Sequence, residues 1–143
     1  MTEVSFHFNV PDRTAYTCRL LRKAMRQGAS VVVTGPTPVL ADFDRALWTF
    51  DPIEFVPHVM PRAGQPVPER LAATPIWLLG DASDAPHHDV LVNLGRDAPA
   101  GFERFARLIE IVTADEDDRV AARQRWKHYA ARGYAIEKHE VGV

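Results

Sequence analysis

At 143 residues, with 46% hydrophobic and 25% charged side chains, the chain is long enough to bury a core without disulfides or a structural metal, and its composition gives no reason to expect disorder. Its formal net charge of −2 argues against a general electrostatic hold on a phosphate backbone, so any basic site must be local. The single cysteine, Cys18, excludes an internal bridge, no run approaches the roughly 18 apolar residues of a spanning helix, and MTEVSFHFNV carries no basic stretch followed by a long apolar one, which together predict a cytoplasmic protein.

Val4, Phe6 and Phe8 alternate with Ser5, His7 and Asn9, the period of two that marks a half-buried strand. Pro11 and Asp12 then open a helix that runs to about Gln27 and stops at Gly28, with Leu21, Ala24 and Met25 as core candidates. Ser30 to Thr34 is short, β-branched and apolar on both faces, as an interior strand of a covered sheet reads. Thr37 and Pro38 suit the N-cap and first residue of a second helix, whose apolar stripe is Val39, Phe43, Ala46, Leu47 and Phe50. Strand, helix, strand, helix at this spacing implies βαβ units in a mixed, largely parallel sheet with helices on both faces.

Between residues 51 and 75 stand Pro52, Pro57, Pro61, Pro66, Pro68 and Pro75, so little regular structure is expected there beyond a short piece at Glu54-Phe55-Val56. Ile76 to Leu79 and Asp89 to Leu94 read as two more strands, Phe102 to Ala106 as a short helix, and Leu108 to Val112 as a further strand. Thr113-Ala114-Asp115-Glu116 has the spacing of a capping box, and the acidic run Asp115 to Asp118 suits the positive end of the helix it opens. That helix should run to about Arg132, stop at Gly133 and release a last strand near Tyr134 to Lys138. A single α/β domain over residues 1–143 is expected.

Two constellations suit docking rather than chemistry. On a wheel of about 100° per residue Trp48 falls opposite the apolar stripe of the second helix. An exposed ring of that size needs a cover, either the proline-rich segment of the same chain or a partner that also meets Phe55, Val56, Pro57 and His58. On the last helix Arg119, Arg123 and Lys127 lie at i, i+4 and i+8 and form one basic ridge. Ala122, Trp126, Tyr129 and Ala130 form the neighbouring stripe, with Arg125 on the other side of the Trp126 ring. Such a surface suits a ligand that is anionic along its length and apolar at one end, although a solvated basic face beside a core stripe would give the same pattern.

At these two places the sequence resembles the chi subunit of bacterial DNA polymerase III. The resemblance rests on Ala46-Leu47-Trp48, on Phe55-Val56-Pro57-His58, and on the run Arg123-Gln124-Arg125-Trp126-Lys127-His128-Tyr129 ending in Gly133. The order of elements agrees over essentially the whole chain. The resemblance implies a single-domain Rossmann-like α/β fold with no cofactor and no catalysis, an accessory subunit that links the clamp loader, through psi, to single-stranded DNA-binding protein during replication. It implies that Arg119, Arg123 and Lys127 hold the aspartates and terminal carboxylate of that protein's acidic C-terminal tail, while Val112 and Trp126 line an apolar hole for the terminal phenylalanine. Trp48, Phe55, Val56, Pro57 and His58 would meet psi or, alternatively, a repair-type helicase, and DNA would be reached only indirectly. Arg119 and Trp126 stand where the family often has lysine and tyrosine, and an arginine fork is not equivalent to an ammonium.

Two rival classes leave sequence traces. Thr34-Gly35-Pro36-Thr37 follows a buried strand and opens a helix, where a Rossmann-type nucleotide-binding enzyme places its phosphate loop, but it has one glycine, and Pro36 and the following Pro38 remove N–H donors. Direct single-stranded DNA binding would use Trp126 and Tyr129 as stacking platforms beside the ridge, yet the acidic run begins immediately before it. His87-His88-Asp89 lacks a third ligand at useful spacing, so no metal site is expected.

Overall fold

The computed structural model describes residues 1–51, 56–61 and 67–141. In chain order the elements are β1 (Glu3–Val10), α1 (Arg13–Arg26), β2 (Val31–Thr34), α2 (Thr37–Thr49), β3 (His58–Val59), β4 (Ile76–Leu79), β5 (Val90–Asn93), β6 (Arg107–Thr113), α3 (Glu116–Ala131) and β7 (Ile136–Glu140). Short 3-10 turns at Glu69–Leu71, Ala82–Asp84 and Phe102–Arg104 fill the connections. The strands form one sheet in the order β3-β4-β2-β5-β6-β1-β7, and every described pairing in it is parallel. This is the α/β architecture expected from the alternating elements, with edge strands at β3 and β7.

Two apolar layers sandwich the sheet. Leu21 of α1 and Leu40, Phe43 and Leu47 of α2 pack with Val31, Val33, Ile76, Leu78 and Ile109 on one face. Ala122 and Tyr129 of α3 pack with Val4, Phe6, Leu91, Leu108 and Val112 on the other, joined by Phe102 and Phe105 from the 3-10 turn after β5. The interior strands β2 and β4 are buried at every position, which is why they read as unbroken apolar runs. Cys18 is buried in the first layer, and burial pushes its thiol up to about 11, which disfavours the thiolate.

Helix ends follow local chemistry, with one correction. Asp12 caps α1 by accepting from the Ala15 N–H at 3.1 Å, and Gly28 and Gly133 take the left-handed conformation that ends α1 and α3. The capping box expected at Thr113 does not form. Asp115 is the N-cap of α3 and accepts from the N–H groups of Asp117 and Asp118, while the Thr113 hydroxyl donates to the Asp118 carboxylate at 2.6 Å. A carboxylate two residues later in the run reaches the free donors better than the hydroxyl does, so the cap shifts along the chain. Likewise α2 begins at Thr37 itself, with Pro36 as its N-cap and no side chain satisfying the free donors.

Candidate functional site

The neighbouring strands β6 and β1 send their chains to opposite faces of the sheet, β6 into α3 and β1 into α1. A crevice opens where connections diverge at the carboxyl ends of parallel strands. Here it is a cleft of about 790 Å³, walled by α3 on one side and by β1 and β7 on the other.

Local geometry shapes that cleft. Asn9 has a φ of 59°, and the β1–β6 register shifts between His7 and Val10. This bulge lets Phe6, Phe8 and Asn9 all line the cleft before Val10 turns into the opposite core layer. From α3 come Arg119, Ala122, Arg123, Trp126 and Lys127, and from the end of β6 come Val112, Thr113 and Ala114. All five residues expected to bind a peptide, Val112, Arg119, Arg123, Trp126 and Lys127, therefore meet in one place.

The Trp126 ring is half-buried, tilted against Phe6 with centroids 5.1 Å apart, and forms the apolar part of the cleft together with Val112. Arg119 and Arg123 are 53% and 57% exposed and share Glu116, at 3.9 and 3.8 Å, both too long for good hydrogen bonds. Exposed pairs of this kind contribute about 0–1 kcal/mol, so both guanidinium groups remain available to a better anion. Among the lining residues four cations, Arg119, Arg123, Lys127 and Lys138, face one carboxylate, Glu140.

Beneath the cleft lies a charged group that the sequence pattern hides. Glu110 on β6 is fully buried and faces Arg125, which is 5% exposed, with Nε donating to the carboxylate at 3.0 Å. The Tyr129 hydroxyl donates to Glu110 at 2.5 Å, and the Asn93 amide of β5 donates to both carboxylate oxygens at 3.0 and 3.2 Å. Burial raises the pKa of the Glu110 carboxyl, and Arg125 and the hydrogen bonds pull it back only in part. Arg125 further donates to the Arg96 carbonyl at 2.8 Å. Helix α3 is thus bolted to the sheet through Arg125 and Tyr129. Arg125 does not lie beside the outer surface of Trp126 as the wheel suggests, because its side chain turns inward to Glu110. Tyr129, also fully buried, is no stacking platform for bases.

The second constellation is smaller than the sequence implies. Trp48 is 58% exposed at the end of α2, with its ring 5.1 Å from the His58 ring. His58 is sealed beneath it and meets Asp44 at 2.9 Å. Val56 belongs to the core layer under α2, so its side chain lies behind the patch, and Pro57 is half-buried. Phe55 lies outside the described residues.

The loop after β2 packs against the loop after β5. A Cβ added to Gly35 would meet the Gly95 nitrogen and Leu94 at 3.4 Å, so the loops after β2 and β5 already close on each other there. Among the described residues no cluster of three or more potential metal ligands occurs, and no helix is long and apolar enough to cross a membrane.

Residues 1–137 match the protein family described as DNA polymerase III chi subunit, HolC. The chain is 31% identical over 147 residues to a DNA polymerase III subunit chi of Pseudomonas aeruginosa, covering 99% of this chain and 98% of that one. It is also 30% identical over 126 residues to the subunit of the same name from Haemophilus influenzae, covering 87% of this chain and 85% of that one. A parallel Rossmann-like sheet and matches that run nearly end to end leave one assignment, and the chain belongs to the chi subunit family of DNA polymerase III.

Proposed function

We infer that this chain is a non-catalytic adaptor of the DNA polymerase III assembly, and that its cleft captures the acidic C-terminal tail of single-stranded DNA-binding protein. The observation that carries the reading is the convergence of Arg119, Arg123 and Lys127 on one wall of a cleft whose apolar part is Trp126, Val112 and Phe6. A peptide that is acidic along its length and ends in an aromatic residue matches both features. Aspartates would engage the ridge through charge-assisted hydrogen bonds of about 1.5–3 kcal/mol each, less where they stay wet, while the terminal ring leaves water against Trp126.

Arg123→Ala is expected to weaken binding of an aspartate-rich, phenylalanine-ended peptide about tenfold or more, read by fluorescence anisotropy, because one charge-assisted contact is lost. Equal affinities for the variant and the parent would refute tail capture by the ridge. Affinity should also fall as salt rises, since the cations are exposed.

The Trp48 patch is the docking surface for a second protein, the psi subunit of the clamp loader or alternatively a repair-type helicase. Its exposed ring at the end of α2 supports this, on the sheet face opposite the cleft. Trp48→Ala should remove that contact with a stability change within about 0.5 kcal/mol, as is usual for surface positions. A large fall in the urea midpoint would instead show that the ring belongs to the core.

A further inference from the structure

Lys138 stands on the wall opposite the basic ridge. It lies on the edge strand β7, in register with Phe6 of β1, and its ammonium sits 5.6 Å from the centroid of the Trp126 ring. Phe6 packs against the same ring, and Lys138, Phe6 and Trp126 all line the cleft. The face that the proposed ligand needs for its terminal ring is therefore already covered by a cation.

An aromatic residue at the end of a peptide carries its α-carboxylate only a few bonds from its ring. A ring placed against Trp126 brings that carboxylate to the place Lys138 occupies, whereas upstream aspartates lie further along the chain. Glu140 lies two residues beyond Lys138 on β7, paired with Phe8, and it lines the same wall. It repels acidic side chains from that part of β7 and leaves them the α3 wall, with Arg123 and Arg119.

Resting on the reading of the cleft as a tail-binding site, we propose that Lys138 is the residue that selects a free C-terminal carboxylate. In the empty cleft it caps Trp126. An arriving terminal ring displaces it, and its ammonium pairs with the terminal carboxylate while the ridge takes the acidic side chains. The two jobs fall on opposite walls, so the cleft reads both the charge of the peptide and the fact that the peptide ends.

The test compares two synthetic peptides of the same aspartate-rich sequence ending in phenylalanine, one a free acid and one a C-terminal amide. The parent protein should prefer the free acid by about tenfold, the lower end for a charged hydrogen bond in a partly wet site. Lys138→Met should bring the two affinities to within about twofold by weakening the free acid alone, and Lys138→Arg, which keeps the cation, should restore the preference. Lys138 is exposed, so both substitutions leave the sheet interior untouched. A Lys138→Met variant that still favours the acid as strongly as the parent would overturn this assignment and leave tail capture standing. A parent that binds neither peptide would overturn tail capture itself.

Discussion

Replacing Glu110 with alanine is expected to destabilise the protein by about 3–5 kcal/mol, because it leaves the Arg125 guanidinium buried without a counter-charge. The Tyr129 hydroxyl and one Asn93 amide lose their acceptor in the same step. A urea titration at neutral pH measures the loss as a shift in midpoint at an unchanged slope. Two further variants separate the causes. Glu110→Gln keeps shape and an acceptor oxygen and should cost less. The double change Glu110→Leu with Arg125→Met removes both charges, and a pair replaced by apolar groups of similar volume is often neutral or even stabilising. A double variant as unstable as Glu110→Ala would show that the space left behind, rather than the orphaned charge, dominates.

This interior pair also bears on the cleft. Arg125 and Tyr129 are on α3, Glu110 is on β6 and Asn93 is on β5, so the network fixes the helix against the sheet at its middle. Arg119, Arg123, Trp126 and Lys127 project from that same helix into the cleft. Charge buried on the inner side of α3 and charge presented on its outer side are thus parts of one rigid element.

The helical wall of the site was legible because helical order is local. Spacing of three and four residues places Arg119, Arg123, Trp126 and Lys127 on adjoining rows from the sequence alone, and the same periodicity puts Trp48 off its core stripe. The strand wall was not legible in that way. Phe6 and Lys138 meet only because β1 pairs with β7, a contact between the two ends of the chain that no local pattern encodes. Asn9 reads as an ordinary outward position of an alternating strand until its positive φ and the register shift reveal the bulge. Glu110 sits between Ile109 and Ile111 in a run that reads as an apolar strand, and its only sequence signal is a single carboxylate amid apolar neighbours. Its partner Arg125 is hidden by the basic residues around it, since a helix rich in exposed cations gives no hint that one of them points inward. The capping shift from Thr113 to Asp115 has the same origin, because several acceptors compete for the same free N–H groups and only geometry decides among them.

Reversing two charges on the ridge, Arg119→Glu with Arg123→Glu, is expected to reduce affinity for the acidic peptide at least about a hundredfold, equivalent to roughly 2.8 kcal/mol at about 1.4 kcal/mol per decade. Each substitution removes an attraction and adds a repulsion, so the effect exceeds that of Arg123→Ala. The fold should survive. Both side chains are more than half exposed, and their pairing with Glu116 at 3.8–3.9 Å contributes little. Two added carboxylates near Glu116 and Asp117 repel one another, but carboxylates in the first turns also face the positive end of the α3 dipole. Ionic strength then separates electrostatics from misfolding. The affinity gap between parent and variant should narrow as salt is raised from about 0.1 M, where charges act over about 10 Å, towards 1 M, where they act over about 3 Å. A peptide with lysines in place of its aspartates should bind the reversed ridge better than it binds the parent, which a damaged cleft could not achieve. Undiminished binding of the acidic peptide by the reversed ridge would mean that α3 does not hold the ligand's charges, and the cleft would then have to be assigned a ligand recognised by Phe6, Val112 and Trp126 alone.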